Sequence, residues 1–241
     1  IGRFLGVDSN VFISVFEKCL TVACLATESQ EFDAHFLEKT IKSLCTGYQN
    51  NDCQYVYERM LNILLRPISS LRSATPYMRA LEVLLSSSEE TWKYDIVSQH
   101  LPSILKLVSV YNDNIIFRAT RDFKEADGQE SNVSFNGTAD MFKVLVVLCK
   151  RNRKILISSS MCTCVLYSLH KNVALWGCMD KNPEALAIYH ENFVNYVKSG
   201  YELIMTLLQF RSKAVYRCAG RLISLLNDLL HQNFVVFNKI M

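Results

Sequence analysis

At 241 residues, half of them hydrophobic and a fifth charged, the chain is long enough and apolar enough to bury a sizeable core, which excludes a disordered segment. Eight glycines and four prolines are too few for a β-sandwich or a nucleotide-binding α/β enzyme with many tight turns. A net charge of +3 does not by itself imply nucleic acid, and no apolar run approaches the roughly 18 to 20 residues of a membrane span.

Residues 10–26 carry apolar side chains every three or four positions, the period of a buried or amphipathic helix, and 31–46 resume it after Glu28-Ser29-Gln30. Residues 47–52 (GYQNND) read as a turn before a helix at 53–65. After Pro67 and Pro76 the period returns at 77–86, followed by a capping box at Ser87 to Glu90. A helix at 91–100 is expected to end at Leu101, with Pro102 as the first residue of the next. Residues 121–138 are polar, hold two glycines and lack periodicity, so they predict a mobile insertion loop. Helices are expected again at 139–151, capped by Thr138, and then at 153–159, 161–180, 183–198, 201–211 and 213–231. No period-2 stretch bounded by turn residues interrupts them, so the expected class is all-α.

The nine cysteines are an odd number, mostly inside apolar helical runs where a thiol acts as a small hydrophobe. That pattern suits a reducing compartment, cytoplasm or nucleus, better than a disulfide framework. The triplets beginning at Asn132 and Asn136 are read as chance matches to a glycosylation sequon. The chain opens Ile-Gly-Arg with neither signal peptide nor initiator Met, and we expect it to be a piece of a longer protein.

Residues 82–108 and 173–208 repeat a phrase, whose first half recurs at 146–157 and 225–237: an apolar end, a polar cap with Glu, a helix with an aromatic and Ile, then a Leu-rich helix. Leu175, Asn182-Pro183-Glu184, Ile188, Gly200, Leu207-Leu208, Ala219, Leu222, Leu225 and Leu226 carry it. In these residues the chain resembles the armadillo and HEAT class of helical repeats, best over 170–240. The resemblance implies a right-handed α-solenoid over 1–241 as one helical-repeat domain, its short amphipathic helices burying their apolar faces against stacked neighbours.

It also implies a concave trough. The faces holding Val146, Trp176 and Asn227 would line it, and Lys143, Lys150, Asn172 and His231 share those faces by the three- and four-residue rule. Trp176 is followed four residues later by Asp180 where the nuclear-import members of the class place Asn, so a localisation-signal groove is not expected. An apolar, aromatic and basic trough suits an extended or helical peptide of acidic character. The expected function is therefore a non-catalytic scaffold or adaptor that binds a partner protein. The alternative is a nucleic-acid or phosphate-binding repeat using Arg151, Arg153 and Lys154 with Arg217 and Arg221, the cores of two basic clusters at 150–154 and 211–221. No phosphate loop, nucleophile elbow or paired-His motif occurs, so neither an enzyme nor a cofactor is expected. Cys162, Cys164, His170 and Cys178 match no compact zinc finger and are read as structural.

Overall fold

The computed structural model describes residues 7–29, 34–48, 52–66, 71–86, 91–124, 135–151, 159–180, 183–210 and 212–232. Among these the chain is all-α. The helices are α1 (Ser9–Ser29), α2 (Ala34–Gly47), α3 (Cys53–Leu64), α4 (Leu71–Ser86), α5 (Thr91–Lys124), α6 (Phe135–Arg151), α7 (Ser159–Asp180), α8 (Pro183–Leu208) and α9 (Lys213–Gln232). The contacts divide the chain into two compact units, Ile1–Leu107 and Val108–Met241, the division falling within α5.

Local chemistry starts several of these helices. The Asp8 carboxylate accepts from the amides of Asn10 at 2.9 Å and Val11 at 3.2 Å, satisfying two first-turn donors of α1. Pro183 opens α8, where its fixed φ suits the helix and its missing N–H costs nothing. Ser212 caps α9, its Oγ accepting from Val215 N at 3.2 Å.

Three expected breaks are absent, and burial explains each. α5 runs through Pro102 because Val97, Leu101, Ile104, Leu105 and Val108 keep one buried stripe in register on both sides of it, while Pro102 itself points outward. A proline inside a helix costs about 3 kcal/mol or more, and several buried aliphatic side chains at about 1.5 to 3 kcal/mol each outweigh it. α4 begins at Leu71 and contains Pro76, which is itself buried and is followed by buried Met78, Ala80, Leu81, Leu84 and Leu85. α8 continues through Ser199-Gly200, with Val197, Leu203, Ile204 and Leu207 all buried and the Ser199 hydroxyl donating back to the Asn195 carbonyl at 2.8 Å.

The expected insertion at 121–138 is shorter than its polarity suggests. Residues 121–124 end α5 and 135–138 begin α6, so Thr138 sits in the first turn of α6 and not at its cap. The rest of that loop, the helix expected at 153–159 up to Ser159, where α7 begins, and the capping box at Ser87 to Glu90 lie outside the described residues.

In the first unit α1 packs on α2, α3 and α4, and α4 also meets α2 and α3. Phe12, Phe16 and Leu20 of α1, Met60, Leu61 and Leu64 of α3, and Met78 and Leu81 of α4 form its core. Tyr57 meets Trp92 edge to face at 5.5 Å. In the second unit alternate helices pair: α6 with α8 and α7 with α9, while α7–α8 and α8–α9 contacts join the two pairs. The part of α5 in this unit reaches α7 through Ser109 and Cys164, Asn112 and Asn172, and Asp113 and Tyr167.

Candidate functional site

The residues expected to line a trough or to form the alternative basic clusters separate into three groups. Val146 is 4% exposed and Asn172 fully buried, so both are core residues and line no surface. Val146 belongs to a run on α6, from Ala139 to Cys149, that is buried nearly all round, leaving Lys143 and Lys150 as its outward residues. Asn172 faces α5, its amide donating to Asn112 Oδ1 at 2.7 Å. Spacing alone placed these two with the lysines; the neighbouring helices decide which side of that row water reaches.

Lys143 and Lys150 are exposed but neutralised. Lys143 Nζ lies 3.4 Å from Asp140 Oδ1, and Lys150 Nζ lies 2.7 Å from Glu202 Oε1 of α8. The Lys150–Glu202 pair is half exposed at both ends and stabilises by about 1 kcal/mol at most. The side chains of Trp176 and Arg151, and the residues Arg153 and Lys154, lie outside those described.

Arg217, Arg221, Asn227 and His231 form the third group, and the structure does bring these together, all exposed on one helix, α9. Its buried stripe is Val215, Cys218, Leu222 and Leu225. At 100° per residue the exposed positions fill an arc of about 160°. One edge of that arc is apolar, with Tyr216 and Ile223 exposed at 66% and 57%. The other edge carries Arg217 and Arg221, with Lys213, Gly220, Ser224, Asn227 and His231 between the two. The sequence holds the signal for Tyr216 and Ile223: they stand seven apart and off the apolar stripe of their own helix.

Two features of this face weaken the helix that bears it. Lys213 stands in the first turn, where the helix dipole disfavours a cation, and Arg217 and Arg221 follow at four-residue intervals, so that like charges repel. The first acidic residue of α9 is Asp228, and none of the three cations has a carboxylate partner among the described residues. His231, in the last turn, has a structural account, since a cation there complements the dipole. Gly220 is exposed within the helix, and a Cβ added there would meet nothing within 4 Å. Alanine at such a position is better by about 1 kcal/mol.

The chain matches no family model, no curated protein and no solved structure. What α9 can do therefore rests on its own chemistry: charge recognition along one edge, apolar contact along the other, and close approach between them.

Elsewhere three buried thiols are held inert. Burial raises the thiol of Cys45 far beyond its ordinary range and pushes those of Cys149 and Cys162 up to about 12, the neighbouring Cys162 and Cys218 thiols adding to the effect. Cys162 and Cys164 look to different neighbours, Cys162 toward Cys218 of α9 and Cys164 toward the Ser109 hydroxyl of α5 at 3.4 Å. Among the described residues no group of three or more His, Cys, Asp or Glu is placed to hold a metal. No helix among them is long and apolar enough to cross a membrane. Because the thiolate is the nucleophile, iodoacetamide at pH 8 is expected to spare Cys45, Cys149 and Cys162 in the native chain and to label all three in urea. Mass spectrometry of the alkylated protein reads this, and native labelling of Cys162 would contradict its burial.

Proposed function

We propose that this chain is a non-catalytic protein-interaction scaffold, a right-handed α-solenoid of armadillo/HEAT-like helices that binds a peptide segment or partner protein on an exposed helical face. The observation that carries the reading is the pairing of alternate helices in the second unit, α6 on α8 and α7 on α9. Each helix in such a stack meets its next-but-one neighbour in the same layer, so a short amphipathic helix buries its apolar face without closing a central bundle. Residual faces then stay available along the stack, and α9 has one.

The runner-up, binding of nucleic acid or phosphate by the basic clusters, draws its support from Arg217 and Arg221. Tyr216 and Ile223 beside them favour a protein, because phosphate-backbone recognition has no use for an aliphatic edge.

Two measurements on the full chain test the proposal. A compact domain of this length has a radius of gyration of about 18 Å, so X-ray scattering from a solenoid gives a larger value, and a value at that figure overturns the stacked architecture. Panning a random linear peptide library on the immobilised chain is expected to enrich binders; a library that yields none overturns the scaffold role.

A further inference from the structure

Building on that reading, we infer that the outer face of α9 is a docking site for an acidic amphipathic helix of a partner protein. Its recognition elements are Tyr216 and Ile223 on the apolar edge, Lys213, Arg217 and Arg221 on the basic side, and Gly220 as the floor between.

Charge complementarity selects the occupant. Three cations at four-residue intervals form a row about 12 Å long, a little over two turns, and no carboxylate among the described residues neutralises it. Lys213, in the first turn, adds the positive end of the helix dipole to the same field. A partner presenting glutamates or aspartates at its own three- and four-residue spacing meets the row charge for charge.

The apolar edge selects a helix in particular. Tyr216 and Ile223 stand seven residues apart, about 10.5 Å along the axis, the distance between i and i+7 anchors on a facing helix. Aromatic and aliphatic anchors beside arginine are the side chains that dominate binding energy at protein interfaces. Gly220 removes the side chain that would hold two backbones apart, since the distance between packed helices, about 8 to 10 Å, is set by the side chains at the contact. The unfavourable cations and the helical glycine then share one explanation, since both serve the bound state at the expense of the free helix.

The test uses a displayed library of helical peptides of about 18 residues, roughly five turns. Each peptide is randomised on one apolar face and carries either glutamates or lysines along the flank. Panned on the full chain, glutamate-flanked clones are expected to be enriched. The Arg217→Glu/Arg221→Glu chain is expected to invert that preference toward lysine-flanked clones, a gain that misfolding cannot produce. Tyr216→Ala/Ile223→Ala is expected to weaken the selected glutamate peptides by about tenfold or more in fluorescence anisotropy. Gly220→Leu is expected to abolish their binding while raising the melting temperature, because leucine favours the helix and has open space before it.

No flank preference, or a preference unmoved by the arginine reversal, overturns the inference. Enrichment of unrelated peptides from the random library in that case leaves the scaffold reading standing and sinks the α9 site alone. Binding of single-stranded oligonucleotides that falls with the arginine reversal yet ignores Tyr216→Ala/Ile223→Ala also overturns it, in favour of nucleic acid.

Discussion

Phe142→Ala is expected to destabilise the second unit by about 3 to 5 kcal/mol. Phe142 is fully buried on α6, whose described residues from Ala139 to Cys149 are buried nearly all round, and Met141, Val144 and Leu145 beside it are equally buried. α6 packs on α8, whose Val197, Leu203, Ile204 and Leu207 are also closed off from solvent. Removing the ring deletes its transfer energy and leaves a cavity that a helix buried nearly all round cannot collapse to fill. A loss of that size is a large fraction of the stability of an ordinary domain. Urea denaturation followed by circular dichroism reads the loss, and hydrogen exchange locates it, with amides of α6 and α8 exchanging faster. A loss under about 1 kcal/mol would mean that α6 is not the centre of this unit.

The second large effect comes from a polar pair in the same unit. Asn172 donates from its amide to Asn112 Oδ1 and to the Ser168 carbonyl, and both asparagines are fully buried. The amide nitrogen of Asn112 has no acceptor among the described residues. Asn172→Ala therefore strips Asn112 of its remaining side-chain bond and leaves a whole buried amide unpaired, at about 2 to 4 kcal/mol. Asn112→Ala is expected to cost less, about 1 to 2 kcal/mol, because it removes a group that is already half unsatisfied and leaves Asn172 bonded to Ser168. The double replacement is expected to fall short of the sum of the two by about 1 kcal/mol or more, the mark of groups in contact. Thermal melts of the three variants and the parent chain complete the cycle. Equal losses from the two single changes, or strict additivity, would show that the pair is not coupled as its geometry says.

Asn172 also shows why the surface was only partly legible in the sequence. The three- and four-residue rule correctly groups Lys143, Val146 and Lys150 on α6, but such a group spans a wide sector of the helix. The neighbours of α6 cover the part holding Val146 and leave the lysines outside. Lys143 and Lys150 read from spacing as free cations, yet their partners Asp140 and Glu202 lie in the same turn and on another helix respectively. On α9 the local pattern was sufficient, because an end-to-end amphipathic helix declares its wet face. Arg217, Arg221, Asn227 and His231 are all on it. Tyr216 and Ile223 were equally visible there, as apolar residues standing away from the stripe of Val215 and Leu222.

What the amino-acid order determined by itself is the helical class and most helix starts. A period of 3.6, scarce glycine and proline, and a proline at residue 183 are local properties that hold whatever surrounds them. What only the tertiary structure decided is where helices continue and which faces stay wet. Pro76, Pro102 and Gly200 each weaken a helix locally, a proline by about 3 kcal/mol or more and a glycine by about 1, and the apolar burial that follows Pro76 and flanks Pro102 and Gly200 is the larger quantity. Exposure follows the same logic, because whether a side chain meets water depends on what packs over it, and that neighbour lies tens of residues away.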